Sequence, residues 1–292
     1  MGELTSIEER IESGYDSLSA RLRTAADFVA QNPVDFATRS LRSVAGQTGL
    51  APATFSRLSR ALGFDSYEDM REVARTGISK SLTPFSERAA KLQADAMSES
   101  GRKVPFLLRQ SEACIDNIAR MAKTTDTAIM DTVVEKLLAV ERVTLVGALG
   151  SAPFADYCSY LANWFVEDWS VTGKTGLTHG SSITKANGNH GFLIICKRPY
   201  VRQSLRIAEL AAENGAYIVV VTDSRDCPAL NYSDAGFILP SESPQFFPSY
   251  AATLVFIETL IGMLVAKAGP NAKERIANVE ENNRRMEEFW VS

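Results

Sequence analysis

The sequence predicts an all-α helix-turn-helix domain followed by an α/β domain whose parallel sheet is flanked by helices. Three observations carry that reading. Through the first 80 positions apolar residues recur at three- and four-residue spacing, as on the buried face of a helix. Beyond Lys123 four short apolar runs alternate with helical stretches, the pattern of strands buried on both faces of an open parallel sheet. Inside the first region lies a window with arginines and no carboxylates.

Leu18, Leu22, Ala25, Phe28 and Val29 mark an early helix that breaks at Asn32-Pro33. Leu41, Val44 and Ala45 mark a second that stops at Gly49. A third starts at Pro52, a residue favoured in a first helical turn because its missing N–H costs nothing there. From Leu82 to Lys123 polar, periodic sequence predicts connecting helices with a kink at Ser98 to Lys103. Arg142 to Val146, Phe192 to Cys196, Tyr217 to Thr222 and Gly236 to Leu239 then read as strands, with helices at Ala152 to Val166, Val201 to Asn214 and Phe247 to Lys267. A charged helix over Asn271 to Val291 closes the chain. The expected organisation is 1–81 for the helix-turn-helix domain, 82–127 for a helical linker, 128–268 for the sheet domain and 269–292 for the last helix.

Length and composition bound the function. The 292 residues are about twice a typical domain, and 45% hydrophobic with 23% charged content excludes disordered, collagen-like and disulfide-scaffold classes. The net charge of −4 excludes a polybasic binder over the whole chain, so a nucleic-acid site must be local. Cys114, Cys158, Cys196 and Cys227 stand far apart without a C-x-x-C pair, and only two histidines are present, which argues against structural zinc. No cofactor and no metal are expected. No window offers the ~18 consecutive apolar residues of a spanning helix, so the protein is expected in the cytoplasm with no membrane partner.

The segment S-L-R-S-V-A-G-Q-T-G-L-A-P-A-T-F-S-R-L-S-R-A-L-G, Ser40 to Gly63, has the parts of a DNA-reading helix pair. Ala45 is small where the helices cross, Gly49 can turn with positive φ, and Leu50, Phe55, Leu58 and Leu62 supply the inner face. The outer face then shows Ala53, Thr54, Ser56, Arg57 and Arg60, short hydroxyls and guanidinium forks suited to base edges and phosphates. No acid stands between Asp35 and Asp65, whereas Arg39, Arg42, Arg57 and Arg60 do, a +4 island of the kind counterion release rewards. Arg42 joins the outer-face residues as a DNA contact. The bland reading is a generic helical hairpin with solvated arginines; the acid-free window favours DNA. Ala51, before Pro52, has no side-chain oxygen with which to cap the recognition helix.

In the second half, Gly147-Ala148-Leu149-Gly150-Ser151 follows the first strand. Its glycines permit a sharp turn, and Ser151 can cap the next helix, whose N-terminus favours an anion. Cys196-Lys197-Arg198-Pro199-Tyr200 ends the second strand; Lys197, Arg198 and Tyr200 form either an anion clamp, with Arg198 its best bidentate member, or a solvated surface turn. Thr222-Asp223-Ser224 ends the third, with Ser224 either holding a hydroxylated ligand or turning the chain. His179 is a further ligand contact. As a general base, His179, His190 and Glu258 are the candidates, and each reads better as structural, so an enzyme is not expected.

The helix-pair run, ending in Tyr67-Glu68-Asp69-Met70, resembles the N-terminal domain of RpiR-type transcriptional regulators. The G-A-L-G-S loop, the G-A-Y-I-V-V-V-T-D strand with Cys227-Pro228-Ala229-Leu230 after it, and Ser233-Asp234-Ala235 are similar to the sugar isomerase (SIS) domain that follows in that family. The resemblance spans nearly the whole chain and implies a Rossmann-like sheet domain. It implies a homodimeric or homotetrameric repressor or activator that binds a double-stranded DNA operator and senses a carbohydrate derivative. Ser151 matches the loop serine that contacts phosphate. The second SIS motif, S-x-S-G-x-T, is here Cys196-Lys197-Arg198-Pro199-Tyr200-Val201, with its hydroxyls gone. The expected small anionic metabolite is therefore either a sugar phosphate or a sugar acid. The alternative function is a SIS-domain sugar-phosphate isomerase.

Overall fold

The computed structural model describes residues 7–82, 84–97, 104–174, 176 and 178–290. The kink expected at Ser98 to Lys103 lies outside the described residues. The chain divides into two compact units, residues 1–105 with 244–247, and residues 106–243 with 248–292.

The first unit is helical: α1 (Ile7–Gly14), α2 (Ala20–Gln31), α3 (Pro33–Thr38), α4 (Leu41–Thr48), α5 (Pro52–Ala61), α6 (Tyr67–Leu82) and α7 (Phe85–Met97). Its core gathers Ala25, Val29, Phe36, Val44, Phe55, Leu58 and Met70, all essentially shielded from solvent. Phe28 of α2 meets Phe55 of α5 edge to face at 6.3 Å, and Phe36 of α3 meets Tyr67 of α6 at 5.5 Å, geometries in which a ring edge faces a π cloud. The break at Asn32-Pro33 is real but brief, because proline is tolerated at the first position of α3. Ser40 caps α4 by accepting from the Ser43 N–H, and Gly49 ends it in the left-handed region with φ 66°.

The second unit holds α8 (Phe106–Thr124), α9 (Thr127–Ala139), β1 (Arg142–Gly147), α10 (Ala152–Ala162), β2 (Trp169–Val171), α11 (His179–Thr184), β3 (His190–Ile195), α12 (Arg202–Glu213), β4 (Tyr217–Thr222), β5 (Ala235–Ile238), α13 (Ala251–Lys267) and α14 (Pro270–Arg285). The strands form one parallel sheet in the order β2-β1-β3-β4-β5, as the alternating pattern predicts. Strand periodicity sorts its two faces. Leu193, Ile195, Val219 and Val221 pack with α9, α10 and α13, while Phe192, Ile194, Val220 and Ile218 pack with α12.

Several expected boundaries shift. The helix expected to Val166 ends at Ala162, the one expected from Phe247 starts at Ala251, and the charged C-terminal helix ends at Arg285 rather than Val291. The backbone ladder stops earlier in the first and third cases and starts later in the second. The edge strand β2 was not expected: three residues, W-S-V, with an exposed serine at the centre, are too short to show a period.

Candidate functional site

Two places in the chain bring the expected residues together. In the first unit, α4 and α5 meet through Gly49-Leu50-Ala51. Phe55, Leu58 and Ser59 turn inward on α5, so its opposite face is free to present Ala53, Arg57 and Arg60 to solvent, with Thr54 and Ser56 half-buried beside them. Ala51 forms no side-chain cap; the Thr54 N–H instead donates to the Ala51 carbonyl at 2.8 Å. Arg42 is exposed on α4.

Charge on this face differs from the +4 island in one respect. Arg39 is committed to Asp35 through a 2.9 Å ion pair four residues back, and Gln47 also donates to Asp35. These bonds hold the Asp35 carboxyl below its ordinary range. The acid-free window began just beyond the acid that neutralises its first arginine. Arg42, Arg57 and Arg60 have no carboxylate partner among the described residues. Sequence reasoning also missed Arg10, whose guanidinium lies 4.1 Å from the Phe64 ring centre and donates to the Gly63 carbonyl at 2.7 Å. Those contacts tie α1 to the chain leaving α5.

In the second unit the order β2-β1-β3 puts consecutive crossovers on opposite sides of β1, so the sheet's topological switch point falls between the carboxyl ends of β1 and β3. Ligand crevices of open α/β sheets form at that place. The loops at those ends are Gly147 to Ser151 and Cys196 to Tyr200. A Cβ on Gly147 would stand 2.5 Å from the Ser151 carbonyl oxygen, so only glycine allows the loop to fold back this closely. Gly150 is exposed at the tip beside Leu149, whose φ is 51°.

Ser151 precedes α10 but its hydroxyl makes no capping bond, contrary to the sequence expectation. It lies 3.1 Å from the Tyr250 hydroxyl, which sits just before α13 and stacks on Phe154 at 4.5 Å and 8°. Tyr250 drew no attention in the sequence because 99 residues separate it from Ser151. Lys197 is 4% exposed, has no hydrogen-bond partner for its Nζ, and holds that atom 4.9 Å from the centre of the Tyr250 ring. Burial pulls the Lys197 ammonium down to about 8, while the Asp223 carboxylate acts in the opposite sense.

The other members of the expected clamp are turned toward carboxylates. Asp223, with its side chain 2% exposed, accepts from the Arg198 backbone N–H at 3.2 Å, stands 3.8 Å from Arg198 Nε, and accepts from the Ser241 hydroxyl at 3.3 Å. The Tyr200 hydroxyl donates to Asp226 at 2.5 Å, and burial together with that bond pushes the phenol up. Ser224 is half-buried in the turn after β4. His179, at the start of α11, bonds through Nδ1 with the Thr172 hydroxyl at 3.1 Å, and its ring packs so tightly on Gly173 that a Cβ there would come within 2.5 Å of it.

The remaining proton-transfer candidates lie apart from the crevice or are engaged. His190 begins β3, at the opposite end of the strands, where it lines a cavity of about 200 Å³ with Thr144, Ser182 and Lys185. Thr144 Oγ1 lies 2.8 Å from its Nε2, and burial lowers its pKa. Glu258 accepts from the Tyr157 hydroxyl at 3.0 Å.

Comparison with known proteins agrees with this architecture. Residues 136–263 match the SIS domain family. The HTH-type transcriptional regulator HexR of Pseudomonas aeruginosa is 20% identical over 284 residues, 96% of each chain. Among solved structures, the NanR protein of Vibrio vulnificus, complexed with ManNAc-6P, aligns with a TM-score of 0.55 at 18% identity, over 96% of this chain and 99% of its own. The sugar isomerase domain of an RpiR transcription factor from Sphaerobacter thermophilus aligns with a TM-score of 0.56 at 17% identity, over 60% of this chain and 97% of its own. With a helix-turn-helix pair in front and a matched SIS domain behind, the chain has the domain order of these HTH-type transcriptional regulators.

Proposed function

We propose that the protein is a one-component regulator of a carbohydrate or related catabolic pathway, binding operator DNA through α5 and a small anionic metabolite at the switch point of its sheet. The observation that carries this reading is the presence in one chain of two cationic features without carboxylate bonds. Arg57 and Arg60 stand exposed on a recognition-type helix, and the Lys197 ammonium lies buried without a hydrogen-bond partner over the ring of Tyr250, whose hydroxyl meets Ser151. The ManNAc-6P complex of the Vibrio vulnificus relative supports a phosphorylated sugar as one class of effector. Residues 1–81 are the DNA-binding segment in this reading, 128–268 the sensor, and 82–127 the linker between them.

Sensing is favoured over isomerisation by where the titratable groups stand. A ketose-aldose isomerase needs a base within reach of the substrate carbon. His190 occupies the amino end of the strands, and Glu258 is bonded to Tyr157. The reading also places the protein in the cytoplasm, as a homo-oligomer acting on a palindromic operator with half-sites about 10 bp apart or a multiple of that. Among the described residues no single helix is long and apolar enough to cross a membrane. Selection of bound duplexes from a random DNA pool by the full chain tests the proposal. Enrichment of one palindromic sequence, released or retained when a sugar anion is added, is the expected result. A pool that stays random after repeated rounds refutes the DNA-binding reading.

A further inference from the structure

Resting on the effector site just proposed, we infer that the anionic group of the effector is seated on Lys197, with the hydroxyls of Ser151 and Tyr250 as its hydrogen-bond donors, and that seating it draws a proton into the protein. The seat replaces the hydroxyl cradle that the second SIS motif lacks here. It fits a carboxylate or a phosphate ester carried on a hydroxylated carbon chain.

The geometry leads there by elimination among the cations of the crevice. Arg198 lies against Asp223, and its own backbone N–H is bonded to the same carboxylate. Lys197 is the buried one, 4% exposed, with an Nζ that no described side chain or carbonyl accepts from. An ammonium in that position has given up its water and taken no acceptor in exchange, which is costly unless an anion completes it. The ammonium lies over the face of the Tyr250 ring, 4.9 Å from its centre, and the hydroxyl of that ring meets Ser151 at 3.1 Å. One anion oxygen at the ammonium thus comes within reach of two hydroxyls that now bond only each other in this crevice, and of the amino end of α10 that follows Ser151.

The proton follows from the surroundings. The titratable groups facing Lys197 are Asp223 from the end of β4, Tyr250 from before α13, and Cys196 and Arg198 on either side in its own loop. Burial raises Tyr250, and the hydrogen bond between Cys196 and Cys227 raises the first and lowers the second to about 7, so Tyr250 and Cys196 stay uncharged near neutrality. Asp223 shares its charge with Arg198. Burial therefore leaves Lys197 at about 8, partly deprotonated under ordinary conditions, and an anion beside it restores the charged form.

Full-length protein titrated with gluconate, galacturonate, glucose 6-phosphate, fructose 6-phosphate and inorganic phosphate, with glucose as the neutral control, tests the inference. Binding is read by isothermal calorimetry between pH 7 and pH 9. If only the ammonium form binds, affinity falls about tenfold over that range. Calorimetry in buffers of different ionisation enthalpy reads the proton uptake on the native chain, with no variant required. Lys197→Gln weakens binding by about ten- to a hundredfold, the loss of a charge-assisted hydrogen bond. The carboxylate and phosphate arms identify which anion the seat prefers, and either one supports it. An anion that binds equally at pH 7 and pH 9 with no proton uptake, or that binds Lys197→Gln as tightly as the native chain, overturns the assignment to Lys197 while leaving the effector site standing. No response of the native chain to any of these anions removes both.

Discussion

Replacing Arg57 and Arg60 together by alanine strips the exposed face of α5 of its two guanidinium groups without touching Phe55, Leu58 or Ser59, which hold that helix on the core. Neither arginine is bonded to a carboxylate among the described residues, so no partner is left uncompensated and the fold is expected to persist. If each contacts one phosphate, the slope of log affinity against log salt becomes shallower by about 0.9 for each arginine in each DNA-bound head. Between 50 mM and 200 mM salt that difference amounts to roughly a tenfold change in affinity per head. The assay is a fluorescence-anisotropy titration of the selected operator at four or five salt concentrations, with far-ultraviolet circular dichroism to check helicity. A double variant that keeps the native slope and the native affinity refutes the assignment of α5 as the DNA-reading helix.

Other perturbations bear on the core and on the crevice. Phe55→Ala empties a fully buried site between α5 and α2 and is expected to cost about 3–5 kcal/mol in denaturant unfolding of the first unit; a loss under 1 kcal/mol contradicts the packing described. Gly147→Val drives a side chain into the Ser151 carbonyl, so anion binding is expected to vanish in calorimetry, and unchanged binding refutes the close approach of that loop. Lys197→Met is expected to stabilise the ligand-free protein. The folded-state value of about 8 lies below the ordinary 10.5, so the unfolded chain holds the proton more tightly. That penalty, about 3 kcal/mol, is fully present below pH 8 and disappears as pH rises toward 10.5. Thermal melts of the native chain should therefore gain stability across that window relative to the variant, and parallel pH profiles contradict the burial of a charged Lys197.

The strands β1, β3 and β4 were readable because each is an apolar run buried on both faces, Y-I-V-V-V-T being bounded as expected. Gly49 and Pro52 marked the helix pair because a left-handed cap and a first-turn proline leave local signatures. The crevice was only half readable. The two loops announce themselves by glycine and serine, but which of Lys197 and Arg198 turns inward depends on a carboxylate, Asp223, that arrives from another strand. Tyr250 was invisible for the same reason: its partner Ser151 is distant in sequence and near only once the sheet exists. Arg39 shows the converse limit, an i,i+4 pair whose acid, Asp35, lies just outside the acid-free window.

Asn117 of α8 is 0% exposed, and its carboxamide both donates to the Glu242 carbonyl at 2.7 Å and accepts from the Glu242 N–H at 3.2 Å. A side chain here pairs with both the N–H and the C=O of one residue, as a neighbouring antiparallel strand would. Spontaneous hydrolysis of that amide in an ageing preparation would set a carboxylate oxygen against the carbonyl, exchanging a donor for a repulsion worth about 1–3 kcal/mol. Peptide-level mass spectrometry of stored protein, watching for a gain of about one dalton at this asparagine, would then track a loss of order in the segment leading to Tyr250, with the helical backbone of α8 holding the following N–H away from the carboxamide it would have to attack.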